Sequence, residues 1–226
     1  MGATRNVVVG GGGTARQEAA VLSRFASLVP AGGVVLSIPW AQADPSDSST
    51  YADWISGTLS GLGLNRVRSL ESVAPASADL EGADAVFICG GNTFLLLQRL
   101  CETGVGAALV ARISQGMPCY GGSAGAIVLG IHIGTAAHLD PNDVGLSDLT
   151  GLNVFDGHAI WCHYTDADVP NVQRFQDETH LPVITLPEDA GLTFDSAGLA
   201  AIGPGLVHIR SGATGDKPVR VDTGET

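Results

Sequence analysis

The stretch Cys119-Tyr120-Gly121-Gly122-Ser123-Ala124-Gly125-Ala126 lies between an apolar run that begins at Pro118 and an apolar segment that ends at Leu129. Gly121, Ser123 and Gly125 fit the pattern G-x-S-x-G. The pattern calls for a strand that enters a helix through a tight turn. Small neighbours let the backbone strain there and lift a serine hydroxyl clear of the sheet. The hydroxyl then sits at a helix N-terminus, whose amides favour developing negative charge. On this reading Ser123 is a nucleophile on an elbow. The competing role is a serine that only caps the helix.

Working outward, short apolar runs alternate with helical segments. Asn6 to Gly10 reads as a first strand ending in Gly10-Gly11-Gly12-Gly13, with a helix following through Leu28. Val34 to Ile38, Val67 to Leu70 and Ala85 to Cys89 read as strands two to four. Ser46 to Leu59, capped by Ser46 or Asp47, reads as a helix, as do Thr93 to Cys101 and Val105 to Gln115. The strand runs are continuously apolar, which with the βα alternation predicts a mostly parallel sheet covered on both faces. Five runs follow: Ala159 to His163, Val183 to Leu186, Gly191 to Phe194, Leu199 to Ile202 and Val207 to Ile209. Only one helix, Val169 to Thr179, intervenes, so the sheet is expected to continue and to finish in antiparallel hairpins. Ile131 to Asp156, rich in Gly, Asp and Asn, reads as a long loop of the kind that often carries function.

The 226 residues fit one large domain, 1–226. Hydrophobic residues make up 45% and charged residues 15%, enough to bury a sizeable core. A net charge of -12 disfavours nucleic acid and anionic membrane surfaces as partners. No apolar run approaches the roughly 20 residues of a membrane span. No apolar segment with a cleavage site precedes Val7, so no secretory leader is read. Cys89, Cys101, Cys119 and Cys162 form no C-x-x-C pair and read as thiols in a reducing compartment, which makes the expected location cytoplasmic and the expected metal and cofactor complement none.

In α/β sheets, sites form at the carboxyl ends of strands. His163 closes the run from Ala159 and is the candidate base, whereas His158 opens that run and belongs at the opposite edge. A base needs a carboxylate to hold its tautomer. Glu188 follows Leu186-Pro187, and its neighbour Asp189 is the alternative. Ala124 supplies one backbone N–H for an oxyanion hole, and Gly90-Gly91-Asn92 could supply another, Asn92 also being placed to cap the next helix.

Four segments together resemble the peptidase E family, the aspartyl dipeptidases, with cyanophycinases as cousins. Cys89-Gly90-Gly91-Asn92-Thr93-Phe94-Leu95-Leu96-Leu97 resembles the family's G-G-N-T-F segment, and Gly122-Ser123-Ala124-Gly125-Ala126 its nucleophile segment. His163-Tyr164 resembles its H-F/H-Y motif and Leu186-Pro187-Glu188 its L-P-E motif. The resemblance covers about Ala85 to Phe194. It implies a three-layer α/β fold similar to class I glutamine amidotransferases (flavodoxin-like), with Ser in place of their Cys. It implies Ser123, His163 and Glu188 as a triad acting through an acyl-enzyme, and Gly91 and Ala124 as the oxyanion hole. Asn92, Tyr164 and a loop aspartate are its substrate-binding candidates. Asp140 is the closest match for the aspartate, with Asp143 as alternative. The implied substrate is a dipeptide or short peptide, cleaved as an exopeptidase would, and a homodimer is compatible with it. The segment after Tyr164, Thr165-Asp166-Ala167-Asp168, is acidic, with Arg174 the one nearby cation, which departs from what an acidic substrate side chain needs.

Other readings are separable. A lipase-like hydrolase places its acid between Ser and His, unlike the order Ser123, His163, Glu188. A glutaminase needs Cys at position 123. Gly10 to Gly13 lacks the spacing of a dinucleotide fingerprint. A non-catalytic small-molecule-binding module, or an amidase or esterase on the same fold, stands as the alternative.

Overall fold

The computed structural model describes residues 5–43, 45–70, 73, 80–211 and 217–219, with the backbone alone for 45–49. Eleven strands form two sheets among these residues. The larger contains β1 (Val7–Gly10), β2 (Val35–Ile38), β3 (Val67–Ser69), β4 (Ala85–Ile88), β5 (Cys119–Gly122), β8 (Gly191–Asp195) and β9 (Gly198–Ile202) in the order β3-β2-β4-β5-β1-β8-β9. The first five of that order run parallel, and β8 and β9 are antiparallel, as expected of the C-terminal part.

Side-chain alternation divides the core. Val7, Val9, Leu36, Ile38, Val86, Ile88 and Cys119 face α3 (Thr93–Glu102), α4 (Val105–Ser114) and α5 (Ala124–Leu129). Val8, Val35, Ala85, Phe87 and Tyr120 face α1 (Ala19–Leu28) and α2 (Pro45–Gly61). β1, β2, β4 and β5 are therefore buried on both faces, which is why their sequences are continuously buried runs without alternation. Each such Val, Ile or Leu contributes about 1.5–3 kcal/mol by leaving water. Pro45 opens α2, where a missing N–H costs nothing. The expected caps Ser46 and Asp47 lie outside the described side chains.

Of the five later runs, two continue the main sheet as β8 and β9, as expected, and three do not. β6 (Ala159–Trp161), β7 (Val183–Thr185), β10 (His208–Arg210) and β11 (Lys217–Pro218) form a second sheet ordered β11-β10-β7-β6. Its Ile160 and Ile184 pack into the core beside α5, while Ala159, Trp161 and Val183 meet Val172 and Phe175 of α6 (Val169–Thr179). β6 and β7 are again buried on both faces, so their composition resembles that of the main sheet's strands. The stretch 131–156 is largely irregular, with one short 3-10 turn at Ile133–Ala136 and a bridge between His132 and Thr150. Among the described residues no single helix is long and apolar enough to cross a membrane.

Candidate active site

Ser123 stands between β5 and α5 with φ 50° and ψ −114°, a conformation that costs a non-glycine residue about 1–3 kcal/mol. Glycine at the flanking positions makes the turn fit. A Cβ on Gly121 would lie 2.5 Å from the Gly125 carbonyl oxygen, and one on Gly125 would lie 2.3 Å from that of Ile88. The Ser123 hydroxyl makes no helix-capping bond. It lies 2.9 Å from His163 Nε2 instead.

His163 comes two residues after β6, not within the strand, and carries φ 51°. Its own N–H donates to the Gly11 carbonyl at 2.9 Å, anchoring the residue to the turn after β1. The ring nitrogen Nδ1 lies 3.0 Å from Glu188 Oε1. A carboxylate there accepts the Nδ1–H, leaving Nε2 as the acceptor for the serine proton. Gln17 Nε2 donates to the other Glu188 oxygen at 3.2 Å. The bond from His163, then that from Gln17, holds the Glu188 carboxyl below the usual carboxylate range. Asp189 turns the other way, with Oδ1 2.3 Å from where a Gly205 Cβ would stand.

Ala124 is the first residue of α5, where amides lack an intrahelical partner. Gly91 has φ +133°, and a Cβ on it would lie 2.6 Å from the Ala41 carbonyl oxygen. Arg99 pins that segment by donating to the Trp40 and Gln42 carbonyls, both at 2.8 Å. Asn92 caps α3, accepting from the Leu95 N–H at 2.9 Å and donating to the Pro141 carbonyl at 2.8 Å. Asp140 accepts from both the N–H and the hydroxyl of Thr93, at 2.9 and 2.6 Å. Asn92 and Asp140 thus fasten the long loop beside Gly91, while Asp143 is exposed. Tyr164 is 7% exposed, belongs to the cluster under α6 and accepts from Arg210 at 2.6 Å. Its ring packs with Val172 and Phe175 in that cluster.

The other histidines lie elsewhere, His208 in β10 of the four-stranded sheet among them. His158 Nδ1 lies 2.7 Å from the Phe155 carbonyl at the opposite end of β6, His138 stacks on Trp161, His132 accepts from Gly134 N, and His180 ends α6. Among the described residues no group of three or more His, Cys, Asp or Glu could hold a metal ion.

Glu18 and Tyr120 are the functional neighbours that the sequence did not reveal. Glu18 is 4% exposed and accepts from the Gly12 N–H at 2.7 Å and from the Tyr120 hydroxyl. Burial raises its carboxyl above the ordinary range, against the lowering effect of Tyr120 and the Gly12 and Gly13 amides. The pair occupies the space left by Gly10 and Gly122, which are register partners on β1 and β5. Tyr51 packs nearby; burial pushes its phenol up to about 12, and the Gly90 backbone hydrogen-bonds it. An acid in the approach to a helix reads as an ordinary dipole partner, and Tyr120 lies 102 residues away. No local pattern could have paired them.

Two sheets whose strand ends bring a serine, a histidine and a carboxylate into one hydrogen-bonded row, in a chain matched by a peptidase family, define a serine-type peptidase. The family model is that of peptidase family S51, matched over residues 7–202, and the chain belongs to that family. It is 31% identical over 181 residues to a peptidase E of Streptomyces coelicolor, covering 76% of this chain and 72% of the relative. It is 27% identical over 186 residues to a peptidase E of Salmonella paratyphi C, covering 77% and 78%. The crystal structure of a peptidase from an acI-B1 Actinobacterium superposes with a TM-score of 0.74 at 18% identity, over 96% of this chain and 95% of that one.

Proposed function

We propose that the chain is an exopeptidase that hydrolyses dipeptides or short peptides through an acyl-enzyme, with Ser123 as nucleophile, His163 as general base and Glu188 as its orienting carboxylate. The observation that carries the proposal is the continuous chain from Ser123 Oγ to His163 Nε2 at 2.9 Å and from Nδ1 to Glu188 at 3.0 Å. Ser123 Oγ attacks the peptide carbonyl carbon as His163 Nε2 takes its proton. The oxygen gains the electron pair and is received by the N–H groups of Ala124 and Gly91. Collapse breaks the C–N bond, and the amine leaves with the proton from His163. Water then repeats the cycle on the ester and restores the serine. The strained φ of Ser123 supports this role, since a capping serine needs no such conformation. The family membership supports a peptide substrate and, with the four thiols, a cytoplasmic setting.

The test is amine release from a dipeptide panel, together with fluorophosphonate labelling. Ser123→Ala should lose labelling and about 10³-fold or more of turnover, and His163→Ala nearly as much. Substantial turnover by folded Ser123→Ala protein sinks the assignment. An enzyme that cleaves esters or simple amides but no peptide is an esterase or amidase. Absent labelling with retained ligand binding leaves a non-catalytic binding module.

A further inference from the structure

The recess that reaches Ser123 opens on the α1–α2 side of the main sheet. Tyr51, Phe87 and Tyr120 line it, with the Glu18 carboxyl among them, and it measures about 50 Å³. Through shared Gly13, Tyr51 and Trp54 it joins a depression of about 560 Å³ that also touches Gln42. The Tyr51 and Trp54 rings lie 5.2 Å apart, and those of Phe87 and Tyr120 stack at 4.3 Å. Trp54 is 44% exposed, an indole left in water beside the nucleophile. None of the described residues lining either space is cationic.

We propose that this depression receives the side chain of the residue whose carbonyl Ser123 attacks, and that it selects an aromatic or long aliphatic side chain and rejects an acidic one. The inference rests on Ser123 being the nucleophile. The residue held as the acyl group must lie against Ser123, and this recess has Ser123 in its wall. A flat apolar side chain displaces water from Trp54 and Tyr51 and completes the aromatic surface they begin. A carboxylate entering the same space loses its hydration and finds no positive partner. It meets a lining of aromatic side chains, and a carboxyl whose oxygens already receive the Gly12 N–H and the Tyr120 hydroxyl.

The experiment uses amino-acid diphenyl phosphonates of phenylalanine, leucine and aspartate, each with a free amine, beside a fluorophosphonate that carries no amino-acid side chain. The rate of Ser123 modification is read by intact mass. The phenylalanine and leucine probes are expected to react at least about 30-fold faster than the aspartate probe. Trp54→Ala should lower the ratio of the phenylalanine rate to the fluorophosphonate rate about tenfold. An aspartate probe that reacts as fast as the others, or a Trp54→Ala ratio equal to that of the unmodified protein, overturns the specificity while the fluorophosphonate adduct leaves the nucleophile in place. Failure of every probe to modify Ser123 removes the nucleophile and this inference with it.

Discussion

Replacing Gly12 by alanine should disable the proposed triad without unfolding the protein. Gly12 has φ +97°, and a Cβ there would lie 2.4 Å from His163 Nε2 and 2.9 Å from Ser123 Cβ. Ordinary contact begins at 3.4 Å, so the imidazole must retreat by about 1.0 Å (3.4 − 2.4). Were that movement directed away from Ser123, the present 2.9 Å would grow to as much as about 3.9 Å, outside hydrogen-bond range. A misplacement of about 1 Å costs about 100-fold in rate. The alanine also bears about 1–3 kcal/mol of backbone strain, which a domain of this size can tolerate. The control is Gly32→Ala, at φ +70° with nothing within 4 Å of its Cβ, which carries strain and no clash. The assay is kcat and KM by amine release, with thermal melts of all three proteins. Gly12→Ala should lose about 100-fold in kcat with a modest change in KM, and Gly32→Ala should lose stability alone. A folded Gly12→Ala enzyme within about threefold of the unmodified kcat refutes the reasoning.

Glu188→Gln should lower kcat by about 10–100-fold, a modest loss because that side chain is 50% exposed and water can replace part of its role, whereas Asp189→Asn should be silent; kcat of the two variants decides, and the reverse pattern transfers the role to Asp189. Glu18 predicts a pH dependence of stability. Its carboxyl is raised above the ordinary 4.5 by burial, so its contribution is full below that value and is lost as pH rises through the folded-state value. The melting temperature of Glu18→Gln relative to the unmodified protein should therefore rise as the pH is raised above the ordinary carboxylate value of 4.5, and a constant or falling difference contradicts the assignment.

The order of elements was legible wherever burial on both faces left an uninterrupted apolar run. α6, foreseen as Val169 to Thr179, has those bounds. Ser123 was legible because its glycines answer a local steric demand, and Glu188 because it follows a strand end. Sheet membership was not legible. Nothing in Ala159-Ile160-Trp161 distinguishes a strand that joins β8 from one that starts a second sheet, since both are buried on two faces. Long-range polar pairing was equally hidden. Glu18 with Tyr120, and Asp140 with Thr93, are contacts between distant segments, each with a reasonable local role of its own. The packing of Tyr164 with Val172 and Phe175 was likewise hidden in its motif.

Ser123 is delivered by the seven-stranded sheet, while His163 and Glu188 follow strands of the four-stranded one. The 2.9 Å bond from Ser123 to His163 therefore spans a seam, closed by Ile160, Ile184 and Leu186 against the α5 side of the core. Turnover in such a molecule works as a gauge of how two sheets are seated on each other. A volume-conserving substitution at that seam that shifts one sheet by a fraction of an ångström should cost little stability, yet lengthen the contact through which the proposed proton transfer runs. Among stable variants, seam packing should be ranked by rate before it can be ranked by any measure of folding.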